Sequence, residues 1–182
     1  MQGAENSLPL FYVGENCMLR FYDVDLHYVQ WLKSIDQQIP DIQYSNNNKF
    51  VCGVVLDING VNYYAPISSN TRVYRTSLPI YDTTSIPHRI ISTIRFSFMF
   101  PASSSVLIEL DFSKIRTLNP QYASLLQKEW EYCKNNESAI HNKAMQVYRI
   151  GCNSNHVLNY TCCKFDILEK RFTEWSRSSK ID

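Results

Sequence analysis

The residues best suited to chemistry lie on either side of a predicted β-hairpin. Lys49 precedes the first strand, and the adjacent hydroxyls of Ser68 and Ser69 follow the second. Because antiparallel pairing brings these flanks to the same end of the ribbon, we expect the lysine and the serines to lie close together. A cation beside hydroxyl groups can hold a phosphodiester and stabilise the negative charge that develops on it. Phosphate binding is therefore the minimal prediction, although the serines taken alone would more often cap a strand end.

Basic and aromatic residues are concentrated near the two serines. Between residues 62 and 105 there are four arginines and a single acid, Asp82. Tyrosine faces can stack on unpaired bases, and guanidinium groups can bind phosphates through two hydrogen bonds. An RNA-binding surface and a solvated strand edge with core aromatics explain this composition equally well. The basic and aromatic residues concerned are Tyr63, Tyr64, Arg72, Tyr74, Arg75, Tyr81, Arg89 and Arg95, with His88 as a further candidate for RNA contact.

If RNA is the ligand, its own chemistry simplifies what the protein must supply. A 2′-hydroxyl can attack the adjacent phosphorus, so the protein need only align the groups and help move protons. Neither a protein nucleophile nor a metal ion is then required. Serine and lysine with ordinary pKa values are poor bases at neutral pH, so the identity of the general base stays open.

Other catalytic frameworks have no support in the sequence. Its five glycines are scattered and form no Walker or Rossmann phosphate loop, and neither G-x-S-x-G nor H-E-x-x-H occurs. Four potential zinc ligands between residues 152 and 163 lack the paired C-x-x-C spacing of a metal site. We therefore predict no metal and no cofactor, and we expect the six cysteines to be free thiols.

Length and composition favour a single globular domain. The chain has 182 residues, 45% of them hydrophobic, with a formal net charge of +1. This net charge does not by itself indicate a nucleic-acid binder. No apolar stretch is long enough to cross a bilayer, and residues 1–17 do not resemble a secretory signal, so we predict a cytoplasmic protein. The predicted domain spans residues 18–175, between an N-terminal extension (1–17) and a frayed C-terminal tail (176–182).

The first two thirds of the chain have the patterns of β-strands. A short strand at 20–24 precedes a helix capped by Asp25, and residues 50–58 and 61–65 form a hairpin through Asn59-Gly60. Pro66 is expected to end the second strand. A long strand over 90–100, followed by alternating residues 106–112, predicts a second hairpin.

Helical periodicity replaces the β pattern after Pro120. Three apolar stripes with spacings of three and four residues predict helices in the last third of the chain. Strands followed by helices indicate an α+β fold, with a twisted antiparallel sheet or partly open barrel flanked by helices. The stripes are Leu126, Trp130 and Cys133; Ile140, Ala144, Val147 and Tyr148; and Phe165, Leu168, Phe172 and Trp175.

Five segments give the chain a resemblance to a known family. They resemble the toxins of type III toxin–antitoxin systems, the ToxN/AbiQ endoribonucleases. The block from Gly53 to Ser69 is the most specific part, and the resemblance extends over about residues 18–175. The segments are 19–22, 49–60, 63–69, 98–101 and 163–169.

The resemblance implies a metal-independent endoribonuclease that cleaves A-rich single-stranded RNA and leaves a 2′,3′-cyclic phosphate. The implied fold is the barrel-like sheet of the MazF/Kid toxins. The implied inhibitor is an RNA pseudoknot that the toxin itself processes, with toxin and RNA alternating in closed assemblies, such as triangles of three toxins and three RNAs. The runner-up is a non-catalytic RNA-binding module that uses the same arginines and tyrosines, and an abortive-infection protein with a protein partner comes third.

The resemblance also implies roles for individual residues. Lys49 matches the family's active-site lysine, and Ser68 and Ser69 match its Thr/Ser-Ser pair, with Ser69 as the foremost catalytic candidate. Thr71 stands where some relatives have a second lysine, and Arg95 lies near a place where relatives often have asparagine. The predicted RNA-binding residues are Tyr44, Thr71, Arg72, Tyr74, Arg75, His88 and Arg89.

Overall fold

The computed structural model describes residues 19–41 and 50–178, apart from the side chains of residues 54, 177 and 178. Within these ranges, seven strands and five helices alternate with short 3-10 turns. The strands are β1 (Arg20–Val24), β2 (Val51–Ile58), β3 (Val61–Ser68), β4 (Ser77–Asp82), β5 (Arg89–Arg95), β6 (Phe100–Pro101) and β7 (Leu107–Glu109). The helices are α1 (Leu26–Ile35), α2 (Phe112–Leu118), α3 (Pro120–Asn135), α4 (Glu137–Gly151) and α5 (Phe165–Ser178).

The strands form one antiparallel sheet in the order β4-β5-β3-β2-β1-β7. The short strand β6 pairs with β3 outside this order, and the sheet does not close on itself. The predicted combination of helices with an antiparallel sheet is therefore confirmed. The finer likeness to the MazF/Kid sheet stays a prediction.

The predicted hairpin between β2 and β3 is confirmed. Asn59 and Gly60 have positive φ angles of 53° and 80°, as the two central residues of a type I′ turn require. The Asp57 carboxylate accepts a hydrogen bond from the Gly60 amide at 3.1 Å. These contacts fix the register next to the turn, and an irregularity between Gly53 and Leu56 shifts it for the rest of the pair.

Strand β3 continues past Pro66 to Ser68, so the prediction that Pro66 ends it was wrong. The Ile67 amide donates to the Phe50 carbonyl at 3.2 Å, which places Pro66 and Val51 in a non-hydrogen-bonded pair. The proline nitrogen therefore faces away from β2. On that side of β3, Pro66 lies between the residues that pair with β6 and those that pair with β5. The missing N–H therefore removes no regular hydrogen bond of the sheet.

The region from residue 77 to 112 differs most from its prediction. The predicted strand over 90–100 is interrupted by a 3-10 turn at Phe96–Phe98, and the predicted second hairpin does not form. Instead, β7 pairs with β1, and Phe112 begins α2 after the N-cap Asp111. Strand β4 pairs with β5 and was not predicted. Alternation indicated strands but did not specify their partners.

The helical predictions are confirmed. The Asp25 carboxylate accepts from the Tyr28 amide at 3.0 Å, capping α1 as expected. The stripe of α1 packs Tyr28 and Leu32 into the core, and α5 extends to Ser178, so the first three residues of the predicted tail are helical. Fully buried members of the three later stripes are Leu126, Cys133, Ile140, Ala144, Val147, Phe165 and Leu168.

The five described cysteines are free, and only Cys152 is exposed. Among residues 19–41 and 50–178, no group of three or more His, Cys, Asp or Glu side chains is arranged to hold a metal ion. None of the helices in the same ranges combines the length and hydrophobicity needed to span a bilayer.

A buried carboxyl group makes the stability of the fold depend on pH. Glu129 of α3 is 3% exposed, and its Oε2 has no hydrogen-bond partner among the described residues. Burial raises the pKa of Glu129 to about 7. Asp82 behaves oppositely, because hydrogen bonds from Thr84 and Lys128 lower its pKa. Asp82 therefore contributes stability that is lost only in acid, below the ordinary pKa of an aspartate.

We predict that the free energy of unfolding falls as pH rises from 5 to 8. The native state holds a proton on Glu129 that the unfolded chain has already released, and this advantage disappears as pH passes about 7. Glu129→Gln should abolish this part of the slope and be more stable than wild type at pH 8 by about 1–3 kcal/mol. Urea unfolding at several pH values measures the free energy of unfolding of wild type and of the variant. Glu131→Gln, at an exposed site on α3, is the control and should keep the wild-type slope.

A second prediction concerns the close contact between Gly53 and Tyr64 on paired strands. A Cβ at Gly53 would lie 1.9 Å from the Tyr64 ring, so Gly53→Ala should destabilise the fold by about 1–3 kcal/mol. The same change in a Tyr64→Ala background should cost much less, because the clashing ring is gone. A double-mutant cycle in urea measures the coupling. Equal costs in both backgrounds would show that the ring contact is not the constraint.

Candidate functional site

A groove of about 640 Å³ opens where β3 leaves the sheet. One wall is the end of β3 and the segment that follows it, and the floor includes the end of β5. The opposite wall comes from the loop between α4 and α5. Lining residues include Ser68, Asn70, Tyr74, Arg75, Arg95, Phe98, Tyr160 and Thr161.

The segment after β3 is held by a network of local hydrogen bonds. The Ser68 hydroxyl accepts from the Asn70 amide at 3.3 Å, and the Asn70 side chain accepts from the Arg72 amide at 2.9 Å. Short polar side chains stabilise turns in this way. At the other end, Ser77 Oγ accepts from the Tyr74 amide at 2.8 Å. The segment is thus an ordered turn with its side chains at the surface.

The backbone carbonyl of Asn70 ties this segment to β5. It accepts from Thr93 Oγ1 at 2.9 Å and from Arg95 Nη2 at 3.3 Å. Thr93 is fully buried, and Arg95 is 8% exposed. Two donors from a central strand therefore fix the position of the residue next to Ser69.

Arginine and tyrosine side chains meet in the groove. The Arg95 guanidinium carbon lies 4.6 Å from the centroid of the Tyr74 ring, and that of Arg72 lies 5.2 Å from it. Both distances are within the range of cation–π attraction. The Tyr74 ring remains 43% exposed. It is thus available for contact with a planar ligand.

The loop between α4 and α5 is anchored through its backbone to the 3-10 turn at Phe96–Phe98 and to the segment after α1. The Cys163 amide donates to the Ser97 carbonyl at 2.8 Å, and the Gln38 side chain donates to the Tyr160 carbonyl at 3.3 Å. Tyr160 is 76% exposed. The lining of the groove therefore includes two exposed tyrosines, Tyr74 and Tyr160.

The groove is positively charged. Its described lining includes Arg75 and Arg95 and contains no Asp, Glu, His or Lys. Arg75 is exposed and has no carboxylate partner among the described residues. Burial lowers the pKa of Arg95, but an arginine starts so high that it keeps its charge. Cations, hydroxyl groups and exposed rings together suit an extended anion with planar groups, such as a single-stranded nucleic acid.

Most of the predicted residues in the segment after β3 are brought together. Ser68, Tyr74 and Arg75 line the groove. Ser69, Thr71 and Arg72 are exposed on the same segment, and the Ser69 hydroxyl has no hydrogen-bond partner within residues 19–41 and 50–178. Tyr44 and Lys49 lie outside the described residues. Phe50 follows Lys49 in the chain, and its carbonyl accepts a hydrogen bond from the Ile67 amide at the end of β3 that borders the groove.

Two predicted residues lie elsewhere. His88 and Arg89 are at the tip of the β4–β5 hairpin, and Arg89 is four residues, about 13 Å, along β5 from Thr93. His88 Nδ1 is 2.8 Å from the Ser85 carbonyl, and Arg89 faces the Asp82 carboxylate at 3.8 Å. The structure therefore does not bring these two side chains into the groove.

Several groove residues were absent from the predicted site, among them Arg95, Asn70, Tyr160 and Thr161. Arg95 was counted in the basic region, but only the pairing of β5 with β3 and β4 reveals that it faces the serine segment. Asn70 could have been found from the sequence, because asparagine favours turns and follows directly after the two serines. Tyr160 and Thr161 are some ninety residues away in the chain, and no local pattern marks them. Their placement depends on the packing of α4 and α5.

Comparison with known proteins identifies the family. The family model of the toxin ToxN of type III toxin–antitoxin systems matches residues 20–173. The chain therefore belongs to this family of toxins, as the resemblance predicted. Endoribonuclease AbiQ of Lactococcus lactis subsp. lactis is 29% identical over 177 residues, covering 88% of this chain and 91% of AbiQ. Endoribonuclease ToxN of Pectobacterium atrosepticum is 24% identical over 171 residues, covering 89% and 96%.

Solved structures agree with this assignment. The structure of AbiQ, a lactococcal anti-phage endoribonuclease, has a TM-score of 0.75 and 27% identity, covering 88% of this chain and 99% of AbiQ. A toxin of a type III system that is selectively inhibited by a non-coding RNA pseudoknot has a TM-score of 0.79 and 23% identity, covering 87% and 98%. The second likeness shows the shared fold.

The bond from Thr93 to Asn70 yields a prediction about local order. Thr93→Val keeps the side-chain shape but removes the donor to the Asn70 carbonyl, so the segment over 69–75 should open more readily. We expect its amide hydrogen exchange to accelerate roughly fivefold, with exchange in β1 and β2 unchanged. Thr117→Val removes a comparable hydroxyl bond on the exposed helix α2 and serves as the control. Unchanged exchange over 69–75 would contradict the anchoring role.

Proposed function

We propose that the protein is an endoribonuclease toxin that binds and cleaves single-stranded RNA in this groove. The observation that supports the proposal is that Ser68 lines the groove together with the buried cation Arg95 and with Tyr74, while Ser69 follows Ser68 on the same exposed segment. Membership of the type III toxin family supports it, since the curated relatives are named endoribonucleases. The proposed catalytic residues are Ser69, Ser68 and Lys49.

In the proposed reaction, the substrate provides the nucleophile. The 2′-oxygen forms a bond to the adjacent phosphorus while the bond from phosphorus to the 5′-oxygen breaks. The proton leaves the 2′-hydroxyl, and the departing 5′-oxygen gains one, so the products end in a 2′,3′-cyclic phosphate and a 5′-hydroxyl. Positive charge in the groove stabilises the phosphorane-like transition state, and the serine hydroxyls donate hydrogen bonds to its oxygens. No metal is needed for this sequence of bond changes.

The groove favours an unpaired strand. Tyr74 and Tyr160 present ring faces that can stack on bases only when those bases are free of a duplex. Thr71, Arg72 and Arg75 lie on the same exposed segment and are proposed to contact the RNA. We also propose a preference for A-rich sequences, following the resemblance of the chain to its family.

The proposed inhibitor is a small RNA pseudoknot that the toxin itself produces by processing a repeated transcript. One structural neighbour is a toxin inhibited by a non-coding RNA pseudoknot. An RNA that occupies the groove would exclude the target by competition for the same cations. We propose that toxin and antitoxin RNA form a closed assembly in the cytoplasm, with three copies of each as the simplest triangular form.

A non-catalytic RNA-binding module is the second candidate. It is favoured by one observation: the described lining of the groove contains no His, Asp or Glu that could act as a general base. The two functions differ in what a mutation removes. A binding module has no cleavage to lose.

We predict that Ser69→Ala and Lys49→Ala each reduce cleavage of A-rich RNA by a factor of about 100 or more, because each removes a group proposed to act on the transition state. Binding of the all-2′-deoxy oligonucleotide and the thermal midpoint should stay near wild type. Ser105→Ala, at an exposed site that does not line the groove, is the control. Cleavage by both variants at the wild-type rate would refute the site assignment.

A further inference from the structure

Arg95 is a buried cation without an anionic partner. It is the last residue of β5 and is 8% exposed. Its contacts are a hydrogen bond from Nη2 to the Asn70 carbonyl and the face of the Tyr74 ring, and neither group carries a full negative charge. Among the described residues, no Asp or Glu forms an ion pair with it.

This arrangement is costly unless a ligand completes it. A guanidinium group has five N–H donors, and burying its charge without a counterion carries a large desolvation penalty. Proteins normally offset that penalty with a carboxylate. Here the side chain lines the groove, so a groove ligand can supply the missing negative charge.

We propose that Arg95 binds a phosphate group of the RNA and, through Asn70, couples that contact to the position of Ser69. This inference rests on the proposed function for the identity of the ligand. The guanidinium donates to the phosphate with the N–H groups that Asn70 does not use. A phosphate is the best match, because its oxygens accept two parallel hydrogen bonds from one guanidinium.

The same side chain also connects the phosphate to an adjacent base. Arg95 lies against the Tyr74 ring, which is partly exposed and can stack on a base. A nucleotide in the groove can therefore bind Arg95 through its phosphate and stack its base on Tyr74, and these two side chains contact each other. When the phosphate is bound, Arg95 and the Asn70 carbonyl hold the serine segment in place.

The salt dependence of binding separates this role from a purely structural one. For single strands, the slope of log affinity against log salt changes by about 0.7 for each phosphate contact. We would measure the affinity of an A-rich 2′-deoxy oligonucleotide for the full chain between 50 and 300 mM salt. Arg95→Gln should weaken binding roughly 10- to 100-fold and make the slope shallower by about 0.7. Arg116→Gln, on the exposed helix α2, is the matched control and should leave both unchanged.

A wild-type slope in folded Arg95→Gln would overturn the proposal, whatever the change in thermal midpoint. Because the position is buried, Arg95→Lys provides a second route if the glutamine variant does not fold. Lysine keeps the positive charge but cannot form the two parallel hydrogen bonds of a guanidinium. The slope of log affinity against log salt should therefore persist while the affinity falls. Sulfate at constant ionic strength should also raise the Tm of wild type more than that of Arg95→Lys, and equal responses would contradict a phosphate site.

The outcomes also distinguish this inference from the proposed function. A shallower slope without any RNA cleavage by wild type would retain the phosphate site and refute the endoribonuclease. Cleavage by wild type with an unchanged slope in Arg95→Gln would refute the phosphate site and retain the endoribonuclease.

Discussion

Strand β3 has different neighbours along its length, and this change of partner fixes where the two serines leave the sheet. It pairs with β2 and β6 over its first part, and its last two residues, Ile67 and Ser68, pair with Ile94 and Thr93 of β5. The tight turn at Asn59-Gly60 sets the register of the nearest part of the β2–β3 pair, an irregularity between Gly53 and Leu56 shifts it, and the pairing with β5 holds the far end of β3. A shift of one residue would turn Ser68 to the opposite face of the sheet. The position of the whole groove depends on this register.

Two buried ionisable groups illustrate how the fold treats charge. Burial raises the pKa of Glu129 to about 7, so this side chain can take up a proton near neutral pH and lose its charge. Arg95 has no such option, because a guanidinium stays protonated in proteins. No Asp or Glu among the described residues pairs with it, and the proposed counterion is a phosphate of the bound ligand. Glu129 therefore affects the stability of the fold, whereas Arg95 is proposed to bind the ligand of the groove.

The sequence was sufficient wherever the determinant was local. Asn59-Gly60, the Asp25 cap and the three helical stripes each specify their element within a few residues, and all were confirmed. The pairing of β7 with β1 and the interruption at Phe96 depend on contacts between distant segments, whereas β4 forms a local hairpin with β5 that the sequence pattern did not reveal. The prediction that Pro66 ends β3 was wrong because the effect of a proline depends on which neighbouring strand its missing N–H would face. The same limit applies to the site: the serine segment could be found from residue types, whereas Tyr160 joins the groove only through the packing of α4 and α5.

The central claim is that the groove catalyses attack by the RNA's own 2′-hydroxyl. The most direct measurement is to incubate the purified, RNA-free protein with a short A-rich RNA and its 2′-deoxy counterpart in EDTA, and to determine the chemistry of the product ends. We expect cleavage of the RNA alone, with products ending in a 2′,3′-cyclic phosphate and a 5′-hydroxyl. Cleavage of the 2′-deoxy strand, or no cleavage of varied RNA sequences by the folded protein, would contradict the account.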